Sequence, residues 1–168
     1  MGRTGRAYRR ARSRFTDKPT FFSWVIEGRL AASGLPSSKG QLRWLESHGL
    51  NSILTLTESP LPKEWLDETR FSFKHVKMYD HEPPTHEGLE EATKYIASQL
   101  NDGRNVIVHC LAGVGRTGSV IAAYMIEYDG KTADQAIAHL RAIRPGSVEG
   151  PQESAVRDYE RWVRLGKR

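Results

Sequence analysis

Three uninterrupted β-branched residues, Val106-Ile107-Val108, lead into a glycine-bearing loop and then an apolar helix, and no other stretch of this 168-residue chain restricts its fold so tightly. A strand with water on one face alternates apolar and polar residues, whereas one without alternation needs cover on both faces. Helices packed on both sides of a parallel sheet supply that cover. The run therefore predicts the central strand of an α/β fold.

The flanking pattern agrees. Residues 21–26 and 29–32, split by Gly28, read as short opening strands, and residues 52–57 and 71–78 as two more. Ser38-Lys39-Gly40-Gln41 and Thr132-Ala133-Asp134-Gln135 have capping-box spacing and predict two helix starts. Residues 61–68 make a short helical or irregular connection. After Pro83-Pro84, Leu89, Ala92, Ile96 and Leu100 recur at helical spacing. A final helix starts near Gln152, with Val156, Tyr159 and Val163 on one face. The expected architecture is a mostly parallel sheet of about four to five strands, flanked by helices on both faces, in one domain over residues 19–168.

Charge is unevenly placed. Residues 1–18 carry seven Lys or Arg against Asp17, a net +6, so with +5 overall the remaining residues carry about −1. Such a segment is expected to be a disordered tail, or an arm for nucleic acid, acidic partners or a membrane surface; an organelle presequence is a weaker reading. No apolar run approaches the roughly 18–20 residues of a membrane span. The expectation is a cytoplasmic protein without one. The single cysteine, Cys110, excludes a disulfide framework and cysteine-based zinc sites.

The loop after the central strand carries the chemistry. Between Cys110 and Arg116 stand Leu111, Ala112, Gly113, Val114 and Gly115. Two glycines let the backbone curl so that successive N–H groups converge on one point. With the positive end of the following helix they form an anion site. Arg116 adds a planar, permanently charged fork suited to two phosphate oxygens. The same field, helped by the Thr117 hydroxyl, favours the thiolate of Cys110, which is the nucleophilic form.

His-Cys-x-x-Gly-x-x-Arg-Thr, as His109, Cys110, Gly113, Arg116 and Thr117, resembles the signature of the protein tyrosine and dual-specificity phosphatases. Residues 22–25, 28–31 and 144–152 are similar to segments of small atypical dual-specificity phosphatases, the last also to mitotic-exit phosphatases. The resemblance covers roughly residues 20–165. It implies that Cys110 attacks phosphorus, that Arg116 holds the phosphoryl oxygens, and that residues 111–115 supply backbone donors. His109 would hold the loop from behind, and Thr117 would hydrogen-bond the sulfur. The family's general acid stands about thirty residues earlier, which points to Asp80, with Glu82 as runner-up; Pro83 and Pro84 would stiffen that loop. Gln152 would orient the hydrolytic water, with Glu149 assisting, and Glu58 would brace Arg116.

The implied reaction needs no metal and no cofactor. The chain has no room for the recognition loop that deepens the phosphotyrosine pocket of larger enzymes. The expected partners are therefore phosphoprotein or phosphopeptide substrates, phosphotyrosine first and phosphoserine or phosphothreonine as a further reach of a shallow site. An RNA 5′-end phosphatase and a non-catalytic phosphate-binding module are the alternatives. Intact Cys110, Arg116 and Asp80 speak against the module, because binding alone requires no nucleophile. Phosphoinositide enzymes usually place lysines inside the loop, and this loop has none. Arsenate reduction would recruit further cysteines.

Overall fold

The computed structural model describes residues 17–166. Most of the basic segment therefore lies outside the described residues. Asp17 and Lys18 are described, and the Lys18 ammonium sits 5.4 Å from the centre of the Phe22 ring and 5.8 Å from that of Trp44.

Five strands form one sheet: β1 (Ser23–Ile26), β2 (Leu30–Ser33), β3 (Ser52–Thr55), β4 (Ser72–His75) and β5 (Val106–His109). Their order is β1-β2-β5-β3-β4. β1 pairs antiparallel with β2 and every other neighbouring pair is parallel, so β5 is central as its unbroken apolar run requires. Six helices complete the described chain: α1 (Lys39–Ser47), α2 (Lys63–Leu66), α3 (His86–Asn101), α4 (Gly115–Tyr128), α5 (Ala133–Ile143) and α6 (Gly150–Arg164).

The sheet divides its side chains by parity. Ala31, Ile107 and Ile53 stand in register across β2, β5 and β3 and pack with Leu42, Leu45 and Leu50 on the α1 side. One residue on, Ala32, Val108 and Leu54 face the larger core built with α3, α4, α5 and α6. Strand alternation thus produces two apolar layers from one sheet, and both are needed to keep β5 dry.

Helix starts follow the expected caps with one difference. Thr132 and Gln135 form the reciprocal box at α5. At α1 Ser38 accepts from the Gln41 N–H, but the Gln41 side chain turns to the Ser37 N–H at 2.8 Å instead of closing the box on Ser38. The strand expected over residues 71–78 pairs regularly only through His75. Beyond it the chain stays buried at Val76 and Met78, tethered by single bonds to Thr55 at the end of β3 and to Leu56 just after it.

At the carboxyl end the sheet turns from apolar to polar. Ser33, His109 and Thr55 form the last row of β2, β5 and β3, all fully buried. His109 Nδ1 lies 3.4 Å from the Cys110 carbonyl, which can only accept, so this nitrogen carries the proton; Nε2, at 2.8 Å, accepts from the Thr55 hydroxyl. Burial holds the imidazole down to about 4 from an ordinary 6.5, so it is neutral in the fold. In the unfolded chain His109 takes up a proton through its ordinary range. Its contribution to stability is therefore complete above about pH 6.5 and is lost as pH falls toward 4. Urea unfolding at pH 7 and pH 4.5 should show His109→Asn losing less stability than the parent over that interval, by about 2–3 kcal/mol. Equal losses in the two proteins would mean that His109 carries no such linkage.

Candidate active site

Four parallel strands end on the same side of the sheet, and each hands its chain to the site. β2 leads to Gly34 and Leu35, β3 to Glu58, β4 to Met78 and Asp80, and β5 to Cys110. Ligands of such sheets bind beyond the strand carboxyl ends.

Residues 110–114 turn from β5 into α4, and their carbonyls are gripped from outside. The Leu35 N–H donates to Leu111 O at 3.1 Å, Arg144 Nη2 donates to Gly113 O at 2.5 Å, and His109 donates to Cys110 O. In a trans peptide unit the N–H points opposite to the C=O. Each grip therefore turns the next amide, of Leu111, Ala112 or Val114, away from the protein holding the carbonyl. Among the described residues these three amides donate to no protein acceptor. Gly113 makes the curl possible: its φ is +78°, and a Cβ there would stand 2.4 Å from the Ser33 backbone. Its own N–H folds back to Cys110 Sγ at 3.2 Å. Gly115 takes its place as the first residue of α4, the apolar helix that follows the loop.

Arg116 is 1% exposed and divides its guanidinium. Nη1 donates to Glu58 Oε2 and to the Met78 carbonyl, both at 3.0 Å. Nη2 lies 3.0 Å from Asp80 Oδ1, near enough for an ion pair but off the line of a hydrogen bond. Nε and Nη2 make no hydrogen bond among the described residues. That edge is the one a guanidinium offers side-on to two oxygens. Glu58 Oε1 also accepts the Asp80 N–H at 3.1 Å, so one carboxylate fixes both the arginine and the loop that bears Asp80. Burial pushes the Glu58 carboxyl upward, but bonds from backbone N–H groups and from Arg116 outweigh it and leave the carboxyl below its ordinary value.

The remaining candidates sit around this centre. Cys110 is 2% exposed. The Thr117 hydroxyl is buried without a hydrogen bond among the described residues, and the donor at the sulfur is the Gly113 amide instead. Gln152 is buried at the start of α6. Its Oε1 accepts the Glu149 N–H at 3.2 Å, and its carboxamide lies so close over Gly115 that a Cβ there would come within 2.5 Å. Glu149 Oε2 is 3.3 Å from His81 Nδ1, and His81 Nε2 is 3.7 Å from Asp80 Oδ2. Glu82 is exposed and outside the hydrogen bonds and ion pairs around Arg116. Sequence reasoning missed His81, the Met78 carbonyl and Arg144. His81, at φ +61°, is an ordinary loop histidine in sequence, and Arg144 stands there as the first residue of the family-like segment 144–152 with no role of its own.

Among the described residues no cluster of histidine, cysteine or carboxylate side chains could hold a metal ion, and no helix is long and apolar enough to cross a membrane. What the arrangement offers is a ring of inward amides, a guanidinium edge, a sulfur within the ring and a carboxylate at its rim.

Comparison with known proteins agrees with this geometry. Residues 19–156 match the family model described as a Swiss Army Knife protein, DSP-PTPase phosphatase domain. The dual specificity protein phosphatase CDC14B of Mus musculus is 32% identical over 149 residues, covering 79% of this chain and 29% of that protein. The tyrosine-protein phosphatase cdc-14 of Caenorhabditis elegans is 31% identical over 147 residues, covering 79% of this chain and 20% of that protein. The chain thus spans less than a third of these curated relatives. Among solved structures, Tk-PTP in its active form superposes with a TM-score of 0.76 at 24% identity, over 84% of this chain and 97% of that one. PTPMT1 in complex with PI(5)P gives 0.76 at 18% identity, over 88% and 99%. A chain that pairs this parallel sheet and phosphate-type loop with a family match across most of its length belongs to the DSP-PTPase family of phosphatase domains.

Proposed function

We propose that this chain hydrolyses phosphate monoesters on protein side chains, phosphotyrosine foremost and phosphoserine or phosphothreonine with it, through a phosphocysteine at Cys110. The observation that carries the reading is the divided Arg116: Nη1 is committed to Glu58 and Met78, while the Nε–Nη2 edge remains for an oxyanion beside the loop amides and the sulfur.

The steps balance. The dianion enters the ring of amides and takes the Nε–Nη2 edge, and Asp80 yields its place beside Nη2. The Cys110 thiolate attacks phosphorus, an S–P bond forms, and the P–O bond to the side chain breaks as Asp80 gives its proton to the leaving oxygen. Water then attacks the phosphocysteine. Asp80, now a carboxylate, accepts the proton, the S–P bond breaks, and inorganic phosphate and thiolate are released. Gln152, whose carboxamide covers Gly115 at the far side of the loop, orients that water, and Glu149 steadies Asp80 through His81. Thr117, with a buried hydroxyl that has no other hydrogen bond among the described residues, supplies one to the departing sulfur. Amides and Arg116 gain most when charge builds on the equatorial oxygens, which is where stabilisation accelerates the reaction.

Phosphoproteins fit this site better than inositol phosphates because Leu111, Ala112, Val114 and Gly115 bring no added positive charge. A lone cysteine that must stay reduced suits the cytosol, the compartment we propose.

Cys110→Ser should abolish turnover of a phosphotyrosyl peptide while the peptide still binds in calorimetry; residual turnover near the parent rate would refute the covalent route. Asp80→Asn should slow phosphotyrosine hydrolysis by about 100- to 1,000-fold, and p-nitrophenyl phosphate, whose leaving group hardly needs a proton, far less. Because the acid must be protonated, the parent rate should fall as pH rises through its titration, and that descending limb should vanish in Asp80→Asn. An unchanged profile would move the acid elsewhere, with Glu82 next in line.

A further inference from the structure

Arg144 follows α5 and is 2% exposed, yet every oxygen that it bonds is neutral. Nη1 donates to Phe21 O at 2.8 Å, to Ala32 O at 3.2 Å and to the Ser23 hydroxyl, and Nη2 donates to Gly113 O at 2.5 Å. No carboxylate lies within ion-pairing distance among the described residues. The guanidinium carbon sits 4.5 Å from the centre of the Phe21 ring. A charge buried without a counter-charge is expensive, and chains seldom keep one where a neutral side chain would serve.

The structure also goes to some length to hold it there. Pro145 and Gly146, the latter at φ +83°, reverse the chain directly after Arg144. Arg141 pins that turn by donating to Ser147 O at 3.0 Å and Val148 O at 2.8 Å. Phe21, whose carbonyl Arg144 takes, adopts φ +54°, a region that non-glycine residues seldom occupy. Strained backbone and a pinned turn both converge on a side chain whose one contact with the loop is the Gly113 carbonyl.

We infer that Arg144 is the second arginine of the phosphate site, a positioning residue that aims the Val114 amide by gripping Gly113 O and places a positive charge beneath the loop. Its counter-ion is the anion that the loop receives. The inference rests on the phosphatase reading of the site. Burial holds the Arg144 guanidinium down to about 10, Cys110 acts in the opposite direction by its charge, and the group stays cationic at neutral pH.

The test compares parent, Arg144→Lys and Arg144→Met for tungstate binding by calorimetry, for kcat and KM on p-nitrophenyl phosphate, and for the ratio of Cys110 alkylation rates by anionic iodoacetate and neutral iodoacetamide. Arg144→Met should weaken tungstate binding and lower kcat/KM by about 10- to 100-fold, less than the roughly 100- to 1,000-fold that outright loss of an oxyanion donor costs, because the Val114 amide is misaimed and not removed. It should also lower the iodoacetate-to-iodoacetamide ratio. Arg144→Lys, keeping charge without the fork, should hold that ratio near the parent's but still bind tungstate several-fold more weakly. A merely structural role would lower the melting temperature and leave tungstate affinity and alkylation ratio unchanged, and that result overturns the inference. Should Arg144→Met fail to fold, Arg144→Lys decides alone: parent-like tungstate affinity overturns the inference, several-fold weaker affinity supports it. A parent protein that binds tungstate normally but shows no turnover would count against the phosphatase reading while leaving the Arg144 comparison intact. A parent that binds no tungstate would sink both.

Discussion

A trans peptide unit cannot point its N–H and its C=O the same way, and the whole site depends on that constraint. To aim amides at an anion, the protein must seize the carbonyls behind them. Leu35, His109 and Arg144 do so from three directions, and none of them needs to touch a ligand. The parallel sheet makes this possible by ending β2 and β5 side by side. The residues following one strand can then hold the loop following the other. Gly113 is one point where side-chain volume would break the arrangement, because its Cβ would occupy the space of the Ser33 backbone.

Arg116 obeys a related logic. A free arginine would be a flexible cation, and a fully paired one would have nothing left for substrate. Glu58 and Met78 take one nitrogen between them and leave the opposite edge without a hydrogen bond, with Asp80 standing beside its Nη2, for a planar, two-point contact. Glu58 holds the Asp80 amide as well, so displacing Glu58 would release Arg116 and Asp80 together. Asp80 beside Nη2 links the two groups again, and a phosphoryl oxygen arriving at that nitrogen would compete with the carboxylate for it.

Legibility in the sequence followed the range of the interaction. The loop from Cys110 to Arg116 is local, so its glycines, sulfur and guanidinium could be read together, and the unbroken apolar run marked its strand as central. Apolar pattern reports burial rather than pairing, which is why the strand expected through Met78 pairs regularly only as far as His75 although Val76 and Met78 are buried. Capping spacing located the start of α1 but could not tell which of two adjacent serines Gln41 would serve. Arg144 was opaque because its partners lie 31 to 123 residues away, and nothing near it in the chain announces a buried cation. His81 acquires meaning only when the start of α6 brings Glu149 against the loop of Asp80.

The central claim is that loop amides and one arginine edge form a single oxyanion cradle in front of Cys110. Heteronuclear NMR of 15N-labelled protein titrated with tungstate tests it most directly. Large shifts are expected at the amides of Leu111, Ala112 and Val114 and at Arg116 Nε–H, saturating together with one dissociation constant. Shifts confined to other residues, with those four signals unmoved at saturation, would contradict it.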